Sequence, residues 1–525
     1  MANVMGIDIG TTSLKGCVFD EKGNELASVT KAYTLITEGE CVEFPAEKYF
    51  ELFEQAYNEL NAKAPIDSFA IDTQGETLMF LDKAGKPLMN AIVWLDNRAD
   101  AEAKAIEEKF GLKTVYEITG QTEVPAGYPA AKILWLKNNR PELFAKLDKV
   151  VLLEDYLLYR ITGKFVCERS LYSSTLYLDV RTGEYWKEML DFIGIDESYL
   201  PKLYESGEKV GEYNGATVCT GALDQISGFI GSGIVREGSV SEMTGTALAV
   251  CALSKTIPPY FEGIKVPAYY VAKDKYCLLM WAPTAGMVME WFKKNFYENT
   301  DFKTIDEEAS KIPLGAEGLT IAPNMRGSVM PVNDPDLKGG VYGMDLKHTR
   351  AHFSRAIMES IACLLRQFLE YLGLSVDEVV SIGGGSKSGL WRQIKADITG
   401  KKVVTLKNKE TGCLGTAIYA GYGAGIYTDI DGADAGRDQN GYLHRSVVRY
   451  KVASWEFTYS NLTDGEKRYL ENLFPDTPTF QFGHPGRGDP AVREETTCYR
   501  SQYGITWKNA STGLWAELKF QIIEV

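Results

Sequence analysis

The sequence predicts an α/β protein made of two related halves. Strand-like segments at residues 68–72 and 77–81 alternate with helical patterns at residues 46–63 and 100–110, and this alternation is typical of α/β architecture. A strand that ends in a polar turn occurs near the start of the chain and again in its middle. With 525 residues the chain is too long for one hydrophobic core. We therefore expect at least two domains with a cleft between them.

The first polar turn lies in residues 5–15, Met-Gly-Ile-Asp-Ile-Gly-Thr-Thr-Ser-Leu-Lys. Gly10 allows a tight turn whose backbone N–H groups point at phosphate oxygens. Three hydroxyl donors follow it, those of Thr11, Thr12 and Ser13. Asp8, one residue inside the strand, can hold Mg²⁺ directly or through water. The segment predicts a β-hairpin that binds a metal-bound polyphosphate; an ordinary hairpin with a polar tip is the alternative.

The middle of the chain repeats the pattern of a strand followed by a polar turn. A strand at residues 216–220 ends in Gly-Ala-Leu-Asp-Gln (221–225), and a helix rich in small residues follows at 226–233. Another strand, at 238–242, leads to the turn Thr244-Gly245-Thr246. Two related halves that each supply one phosphate loop would explain this repeat.

A third turn follows a long amphipathic helix pattern at residues 349–374. The strand at 377–382 ends in Gly-Gly-Gly-Ser-Lys-Ser (383–388) and a new helix. Glycines let the backbone approach a ligand without interference from Cβ atoms, and a helix N-terminus favours anions. We expect a second nucleotide contact here; a purely structural strand-to-helix turn is the alternative.

Composition narrows the class of protein. The chain is 45% hydrophobic and 24% charged, as in soluble globular proteins. Its net charge of −15 argues against a nucleic-acid or membrane-surface binder, because such binding needs clustered Lys and Arg. No apolar run is long enough to span a bilayer, and the N-terminus lacks a basic segment followed by an apolar one. We expect a cytoplasmic protein.

Cysteine and histidine suggest no metal chemistry. The nine cysteines include no Cys-x-x-Cys pair, so we expect buried thiols in a reducing compartment. His348 and His352 are four residues apart, but a pair at a helix start explains them better than a metal site.

Two longer patterns make the chain resemble the FGGY carbohydrate kinases. One family pattern is met in full by residues 127–139, Gly-Tyr-Pro-Ala-Ala-Lys-Ile-Leu-Trp-Leu-Lys-Asn-Asn. The other is met by Gly-Gly-Val-Tyr-Gly-Met (339–344), seven further residues, and His-Phe-Ser-Arg-Ala-Ile-Met-Glu (352–359). The resemblance implies two duplicated ribonuclease H-like domains of the actin and hexokinase type, with a nucleotide cleft between them. We expect domains at 1–240 and 241–430, followed by an atypical tail at 431–525.

The resemblance also implies an ATP-dependent sugar kinase that uses Mg²⁺, and it assigns roles to matching residues. Asp224 resembles the general base that accepts the proton of the substrate hydroxyl, although an Asp before a helix can also be an N-cap. Asp8 resembles the carboxylate that positions the metal. The residues that match nucleotide and phosphate contacts are Thr11, Thr12, Ser13, Gly245, Thr246, Gly286, Gly384 and Ser388. Gly286 has an alternative role as a helix-packing glycine.

The substrate side departs from both family branches that it resembles. Glu76 and Trp94 match substrate contacts of the glycerol kinase branch, and Gln74 and Gln225 complete the expected sugar-binding set. Gly75 and Gly127 stand where that branch has an arginine and a tyrosine, so we expect a roomier pocket. The xylulokinase branch has Met-His at 75–76 and Asn at 225. A pentulose such as xylulose is the first expectation; a glycerol- or erythritol-like polyol or another ketose is the alternative.

The tail beyond residue 430 departs from the family, which continues with a long helix and a Tyr-rich segment. Only residues 464–474 have a helical pattern, and residues 482–490 have a loop-like composition. A divergent or frameshifted end is one interpretation, and a lineage-specific extension is the other.

Three further hypotheses concern activity and assembly. An ATP-switched binding protein of the same superfold is the alternative from another class, and a catalytically inactive relative of the kinases is a third. A homodimer is possible. The sequence does not decide which sugar or which hydroxyl is phosphorylated.

Overall fold

The computed structural model describes residues 2–406, 410–428 and 430, together with the backbone of 445–448, 454–462, 480–485, 493–509 and 514–524. The chain divides into two compact units, Met1–Val448 and Arg449–Val525. Among the described residues, no helix combines the length and the apolar character needed to cross a membrane.

The first part of the larger unit contains fifteen strands and nine helices. The strands are β1 Asn3–Ile9, β2 Ser13–Asp20, β3 Glu25–Ala32, β4 Ile36–Glu38, β5 Cys41–Phe44, β6 Ser68–Thr73, β7 Leu78–Leu81, β8 Ala91–Ile92, β9 Lys149–Leu152, β10 Val166–Glu168, β11 Leu178–Asp179, β12 Glu184–Tyr185, β13 Lys202–Tyr204, β14 Lys209–Tyr213 and β15 Ala216–Cys219. The helices are α1 Ala46–Lys63, α2 Asp100–Phe110, α3 Leu112–Thr119, α4 Pro129–Asn139, α5 Pro141–Phe144, α6 Leu153–Thr162, α7 Arg169–Tyr172, α8 Lys187–Ile193 and α9 Asp224–Gly231.

The second part of the larger unit follows directly. Its described strands are β16 Ser239–Thr244, β17 Leu248–Ser254, β18 Ala268–Ala272, β19 Lys275–Ala282, β20 Thr320–Ala322, β21 Gly340–Tyr342, β22 Glu378–Ile382, β23 Lys402–Leu406 and β24 Arg445–Val448. Its described helices are α10 Gly286–Phe296, α11 Phe302–Ala309, α12 Arg350–Leu372, α13 Gly389–Thr399 and α14 Thr411–Gly423.

The two parts share one sheet topology. In the first part the central strands have the order β3-β2-β1-β6-β15, and in the second the order β19-β17-β16-β22-β23. In each sheet the first three strands are antiparallel to their neighbours among these three, and the last two run parallel to the third. The structure therefore confirms the α/β class and the predicted duplication of ribonuclease H-like domains. The boundaries 1–240, 241–430 and 431–525 stay a prediction.

The strands that carry the predicted turns are buried because both faces of each sheet are covered. All six residues of β6 are buried, as are five of the seven residues of β1. Near-continuous apolar strands of this kind are typical of parallel sheets covered by helices. The turns at the strand ends are therefore held by rigid elements.

Helices α5 and α6 lie within residues 141–162, whose sequence has a helical pattern, and the unpredicted four-residue strand β9 separates them. The expectation of buried thiols is wrong for Cys363, which is exposed, and Cys41 is only half-buried. The other six described cysteines are buried, and all eight are free thiols. The side chain of Cys498 lies outside the described residues.

The smaller unit contains four described strands. They are β25 Ser454–Leu462, β26 Phe480–Pro485, β27 Arg493–Asn509 and β28 Leu514–Glu524, and they form an antiparallel sheet in the order β25-β28-β27-β26. The predicted loop at 482–490 is thus wrong for residues 482–485. The predicted helix at 464–474 lies outside the described residues.

Helices α9 and α14 cross at a point where neither has room for a side chain. A Cβ atom added to Gly231 would overlap the carbonyl oxygen of Thr411, and one added to Gly415 would overlap the carbonyl oxygen of Ser227. Helix α14 follows the last parallel strand of the second part, yet it packs against β1 and β6 of the first. This crossing therefore joins the two halves through direct backbone contact.

We expect Gly231→Ala to lower the free energy of unfolding by about 2–3 kcal/mol, because the added methyl forces the two backbones apart. Gly228→Ala is the matched control on the same helix, since its Cβ would lie 3.9 Å from the nearest atom, Thr411 Oγ1. Replacing glycine by alanine inside a helix adds up to about 1 kcal/mol of stability where there is space. Thermal and urea unfolding measure both variants. Equal unfolding midpoints for the two would contradict the tight crossing.

Candidate active site

The first predicted phosphate turn is the tip of the β1–β2 hairpin. Gly10 N–H donates to the carbonyl oxygen of Ser13 at 3.1 Å, which closes the turn. The side chain of Thr12 is exposed, whereas Thr11 and Ser13 are half-buried. The indole Nε1 of Trp94 donates to Thr11 Oγ1 at 3.0 Å. One of the expected phosphate-binding hydroxyls is therefore hydrogen-bonded to one of the expected sugar-binding side chains.

Three carboxyl groups lie close together beside this turn. Asp8 and Asp72 face each other on the parallel strands β1 and β6, and their side chains are hydrogen-bonded. Burial raises the pKa of Asp8, and burial together with the charge of Asp8 raises the pKa of Asp72 well above its usual value. The Asp72 carboxyl also accepts a hydrogen bond from the Thr416 hydroxyl of α14.

Asp224 is the third member of this cluster. It is the first residue of α9, and its Oδ1 accepts the N–H of Gln225 at 2.6 Å. The N-cap position of α9 belongs to Leu223, so the alternative reading of Asp224 as the helix cap is wrong. Burial raises the pKa of Asp224 to about 8, and the charge of Asp8 contributes in the same direction. A carboxyl group with this pKa can accept a proton near neutral pH.

The carboxyl cluster suits a magnesium ion that arrives with its own phosphate ligands. Within the described ranges no group of three or more His, Cys, Asp or Glu side chains has metal-binding geometry. Mg²⁺ commonly takes one or two protein carboxylates and fills its other positions with water and substrate phosphate oxygens. Asp8 fits this role because a cation beside it would offset the mutual repulsion of the buried carboxyl groups.

Glu76 occupies a strained backbone position on the expected sugar side. Its φ of 59° is uncommon for a residue other than glycine. Burial raises the pKa of its carboxyl group. The fully buried Lys132 donates to the carbonyl oxygens of Glu76 at 2.8 Å and Val93 at 3.0 Å. Lys132 thereby fixes the two segments that carry Glu76 and Trp94.

The other expected sugar-side residues differ in accessibility. Trp94 is 41% exposed, and Gln225 is half-buried beside Asp224. Gln74 is buried, and its Nε2 donates to the hydroxyl of Tyr49 at 3.3 Å. Its amide therefore already has a partner in the hydrophobic core of the first half.

A pair of tyrosines lies near Glu76 and comes from both halves. Burial raises the pKa values of Tyr128 and Tyr269, and both rings are close enough to Glu76 for its charge to raise these pKa values further. Tyr128 also donates to Gln121 Oε1 at 3.0 Å. Tyr269 belongs to β18, an edge strand of the second sheet, so the second half contributes to the sugar-side wall.

The second predicted phosphate turn is tied to the start of α10. Gly286 N–H donates to the carbonyl oxygen of Gly245 at 2.8 Å, and Ala285 N–H donates to that of Thr246 at 3.0 Å. A Cβ atom added to Gly286 would overlap the Gly245 carbonyl oxygen. Gly286 is therefore a packing glycine, which was the alternative interpretation of this residue. The same contact places it beside the turn at 244–246.

The glycine-rich turn lies against the second phosphate turn. A Cβ atom on Gly383 would lie 2.9 Å from the carbonyl oxygen of Thr244, and one on Gly384 would lie 3.9 Å from the same atom. Ser388 caps α13, because its Oγ accepts the N–H of Trp391 at 2.9 Å. Two of the three predicted nucleotide-contacting segments are thus brought together in the second half.

Sequence reasoning missed several residues of this site: Asp72, Lys132, Tyr128, Tyr269 and Thr416. For Asp72 a signal existed, because parallel pairing of two predicted strands places their carboxylates side by side. Lys132 stands among apolar residues in the pattern at 127–139, which is a signal for a buried cation. Tyr269 and Thr416 gave no local signal, since their proximity depends on packing between the two halves.

Comparisons with known proteins agree with this geometry. The family model described as the FGGY family of carbohydrate kinases, N-terminal domain, matches residues 3–233, and the C-terminal domain model of the same family matches residues 244–424. Xylulose kinase of Bacillus subtilis is 32% identical over 452 residues, which cover 82% of this chain and 90% of that protein. Gluconokinase of Bacillus licheniformis is 25% identical over 509 residues, covering 91% of this chain and 98% of that protein.

A solved structure agrees in fold. Plasmodium falciparum glycerol kinase with ADP superposes with a TM-score of 0.78 at 24% identity, covering 90% of this chain and 96% of that chain. The duplicated sheets and both family models lead to one conclusion: the chain belongs to the FGGY family of carbohydrate kinases, phosphotransferases that act on sugars.

Proposed function

We propose that this protein transfers the terminal phosphoryl group of ATP to a hydroxyl of a neutral open-chain sugar, with a pentulose such as xylulose as the first candidate. The observation that carries the proposal is the cluster of Asp8, Asp72 and Asp224 beside the first phosphate turn, in a chain with a xylulose kinase relative at 32% identity. A polyol or another ketose is the second candidate, favoured by the 41% exposed indole of Trp94, whose ring face can pack against the C–H groups of such a substrate.

The proposed chemistry needs positioning more than covalent help from the protein. Bound Mg²⁺ supplies charge neutralisation to the phosphates of ATP, and Asp8 would hold it directly or through water. The turns at Thr11–Ser13 and Gly245–Thr246 donate hydrogen bonds to phosphate oxygens, and Gly384 and Ser388 flank the adenosine. Asp224 accepts the proton of the attacking hydroxyl.

The charge of the sugar side favours a neutral substrate over a sugar acid. Asp224 and Glu76 interact unfavourably with each other as charged groups, since each additional negative charge raises the pKa of Asp224. The carboxylate of an aldonate would add to this repulsion. The positive charge of Lys132 offsets part of this repulsion, since it acts to lower the pKa of Glu76. Burial, however, lowers the pKa of Lys132 itself to about 7, so this amine carries only part of a charge near neutral pH. A ketose or polyol brings only hydroxyl groups, which a carboxylate can accept from.

An ATP-switched binding protein is disfavoured by the same residues. Such a protein has no need for the combination of a buried base at Asp224 with Glu76 and Trp94 on the sugar side. It would hydrolyse or exchange nucleotide without any added sugar.

The first test is whether ADP release depends on an added sugar. We expect turnover with a pentulose, measured across pentuloses, hexuloses, tetritols and glycerol by coupled ADP detection. Asp224→Asn should lower kcat by about 10³-fold, because the general base is lost. Asp155→Asn is the matched control: the pKa of the fully buried Asp155 carboxyl group is likewise raised to about 8, and its loss should change kcat only a few-fold. Turnover that needs no sugar would refute the kinase.

The pH profile tests the protonation of Asp224. Below its pKa the carboxyl group is neutral and cannot accept a proton, so kcat/KM for the sugar should fall tenfold per unit of pH on the acidic side. We expect the midpoint of this acidic limb to lie above the ordinary Asp pKa of about 3.9. It should be no higher than about 8, the pKa of Asp224 in the unliganded site, because a cation beside Asp8 lowers the pKa of Asp224. A profile that is flat over the whole range from about pH 4 to about pH 8 would contradict the assignment.

Substrate charge gives a further prediction. The kcat/KM for xylulose should exceed that for gluconate by at least about 10²-fold, a ratio that electrostatic repulsion in a buried site can supply. Glu76→Gln should narrow this ratio, because it removes one negative charge, and should raise the KM for xylulose while leaving the KM for ATP unchanged. A preference of the wild-type protein for gluconate would overturn the neutral-sugar proposal.

A further inference from the structure

A fully buried ion pair lies below the two turns of the second half. Lys395 Nζ of α13 is 2.5 Å from Glu242 Oε1 of β16, and neither side chain has any exposed surface. Burying two charges costs several kcal/mol per ion unless each is paired and hydrogen-bonded.

The pair is completed by two hydroxyl groups. Lys395 Nζ donates to Thr244 Oγ1 at 2.9 Å, and the Thr244 hydroxyl donates to Glu242 Oε2 at 2.7 Å. The hydroxyl of Ser381, on β22, donates to Glu242 Oε1. The cluster thus connects β16, β22 and α13, which are the elements that begin or end at the two turns.

Thr244 is the point of contact between these turns. It immediately precedes Gly245, and its carbonyl oxygen would lie 2.9 Å from a Cβ atom on Gly383. Its methyl Cγ2 would lie 2.7 Å from a Cβ atom on Gly385. The hydroxyl group of Thr244 is therefore hydrogen-bonded to the ion pair, and its methyl group packs against the glycine-rich turn. Rotation of this side chain would break the first contact and press on the second.

We propose that the Glu242–Lys395 pair positions nucleotide: it locks the side chain of Thr244 and thereby fixes the spacing between the turn at 244–246 and the turn at 383–388. Both are positioning residues, since they act through Thr244 and the backbone of the turns. This inference rests on the proposed function, because it assumes that the two turns bind the phosphates and adenosine of one nucleotide.

A contribution to stability alone would not require this arrangement. Apolar residues of similar size often replace a buried ion pair with no loss of stability. Such residues would leave Thr244 free to choose among its rotamers, whereas the ion pair admits one. The difference between the two roles is therefore measurable in ligand affinity.

The decisive variant is the double substitution Glu242→Leu with Lys395→Met, which removes both charges and keeps the volume. We expect the Kd for ADP with Mg²⁺, measured by calorimetry without sugar, to rise about tenfold, a change that loss of one fixed contact can produce. The KM for ATP should rise similarly, and the KM for the sugar should stay within twofold. Thr244→Val keeps the shape of the side chain and removes only its hydroxyl group, and it should also raise the Kd for ADP. This variant tests the positioning role if the double variant does not fold.

Lys402→Met is the matched control. It removes the ion pair between Lys402 and Glu378, 2.8 Å long, that joins β22 and β23 in the same sheet, and it should leave ADP affinity unchanged. Unchanged ADP affinity in the folded double variant or in Thr244→Val would overturn the positioning role alone. An equal rise in ADP Kd and sugar KM would also overturn it, since that would mean general loosening. Absence of ADP binding by the wild-type protein would instead refute the proposed function, and this inference with it.

Discussion

The close crossing of α9 and α14 is the constraint on which the site depends. Because neither helix carries a side chain at Gly231 or Gly415, their backbones touch, and α14 reaches from the second half onto β1 and β6 of the first. Asp224 begins one of these helices. Asp8 lies beside the first turn of the other, where a Cβ atom on Gly412 would be 2.8 Å from its Oδ2. The carboxyl cluster is thus assembled by the same contact that holds the halves together.

The two halves treat buried charge in opposite ways. In the first, Asp8, Asp72 and Asp224 repel one another, and burial raises their pKa values. In the second, Glu242 has Lys395 at 2.5 Å and its charge is neutralised within the protein. Groups whose charge is left uncompensated are suited to a ligand that brings a cation, whereas a neutralised pair is suited to holding a loop still. On the proposed function, the first half therefore supplies carboxyl groups for the reaction, and the second half supplies turns that the ion pair holds in place.

Much of the fold could be predicted from the sequence because its signals are local. The bounds of α1 and α2 coincide with the predicted ones, since an apolar repeat of helical period depends only on neighbouring residues. Strand β9 was missed because its three apolar residues, which follow Lys149, run directly into the helical pattern of α6, and short apolar runs fit either structure. The turns at 10–13 and 244–246 and the role of Asp224 were predicted from local signals together with the family patterns, and their functions in phosphate binding and catalysis stay a prediction.

The rest of the site depends on contacts that no local pattern encodes. Lys395 stands in a helix with alternating polar residues and has the pattern of a surface lysine; only Glu242, on a distant strand, makes its burial tolerable. Asp72 becomes significant only when β6 pairs with β1 in the register that sets it opposite Asp8. Tyr269 comes close to Glu76 only because β18, the edge strand of the second half, packs against the first half. No local sequence pattern indicates this packing.

The anchoring of β18 has a consequence for how this family can diversify. Ala268 N–H donates to the Gly120 carbonyl oxygen at 2.9 Å, and Tyr270 N–H donates to Ser173 Oγ at 2.9 Å, so this strand of the second half is hydrogen-bonded into the first half. Exchange of the first half alone between two such proteins would separate β18 from the partners that it binds here. On the proposed function, Tyr269 of this strand lines the sugar site, so both halves would have to change together when the preferred sugar changes.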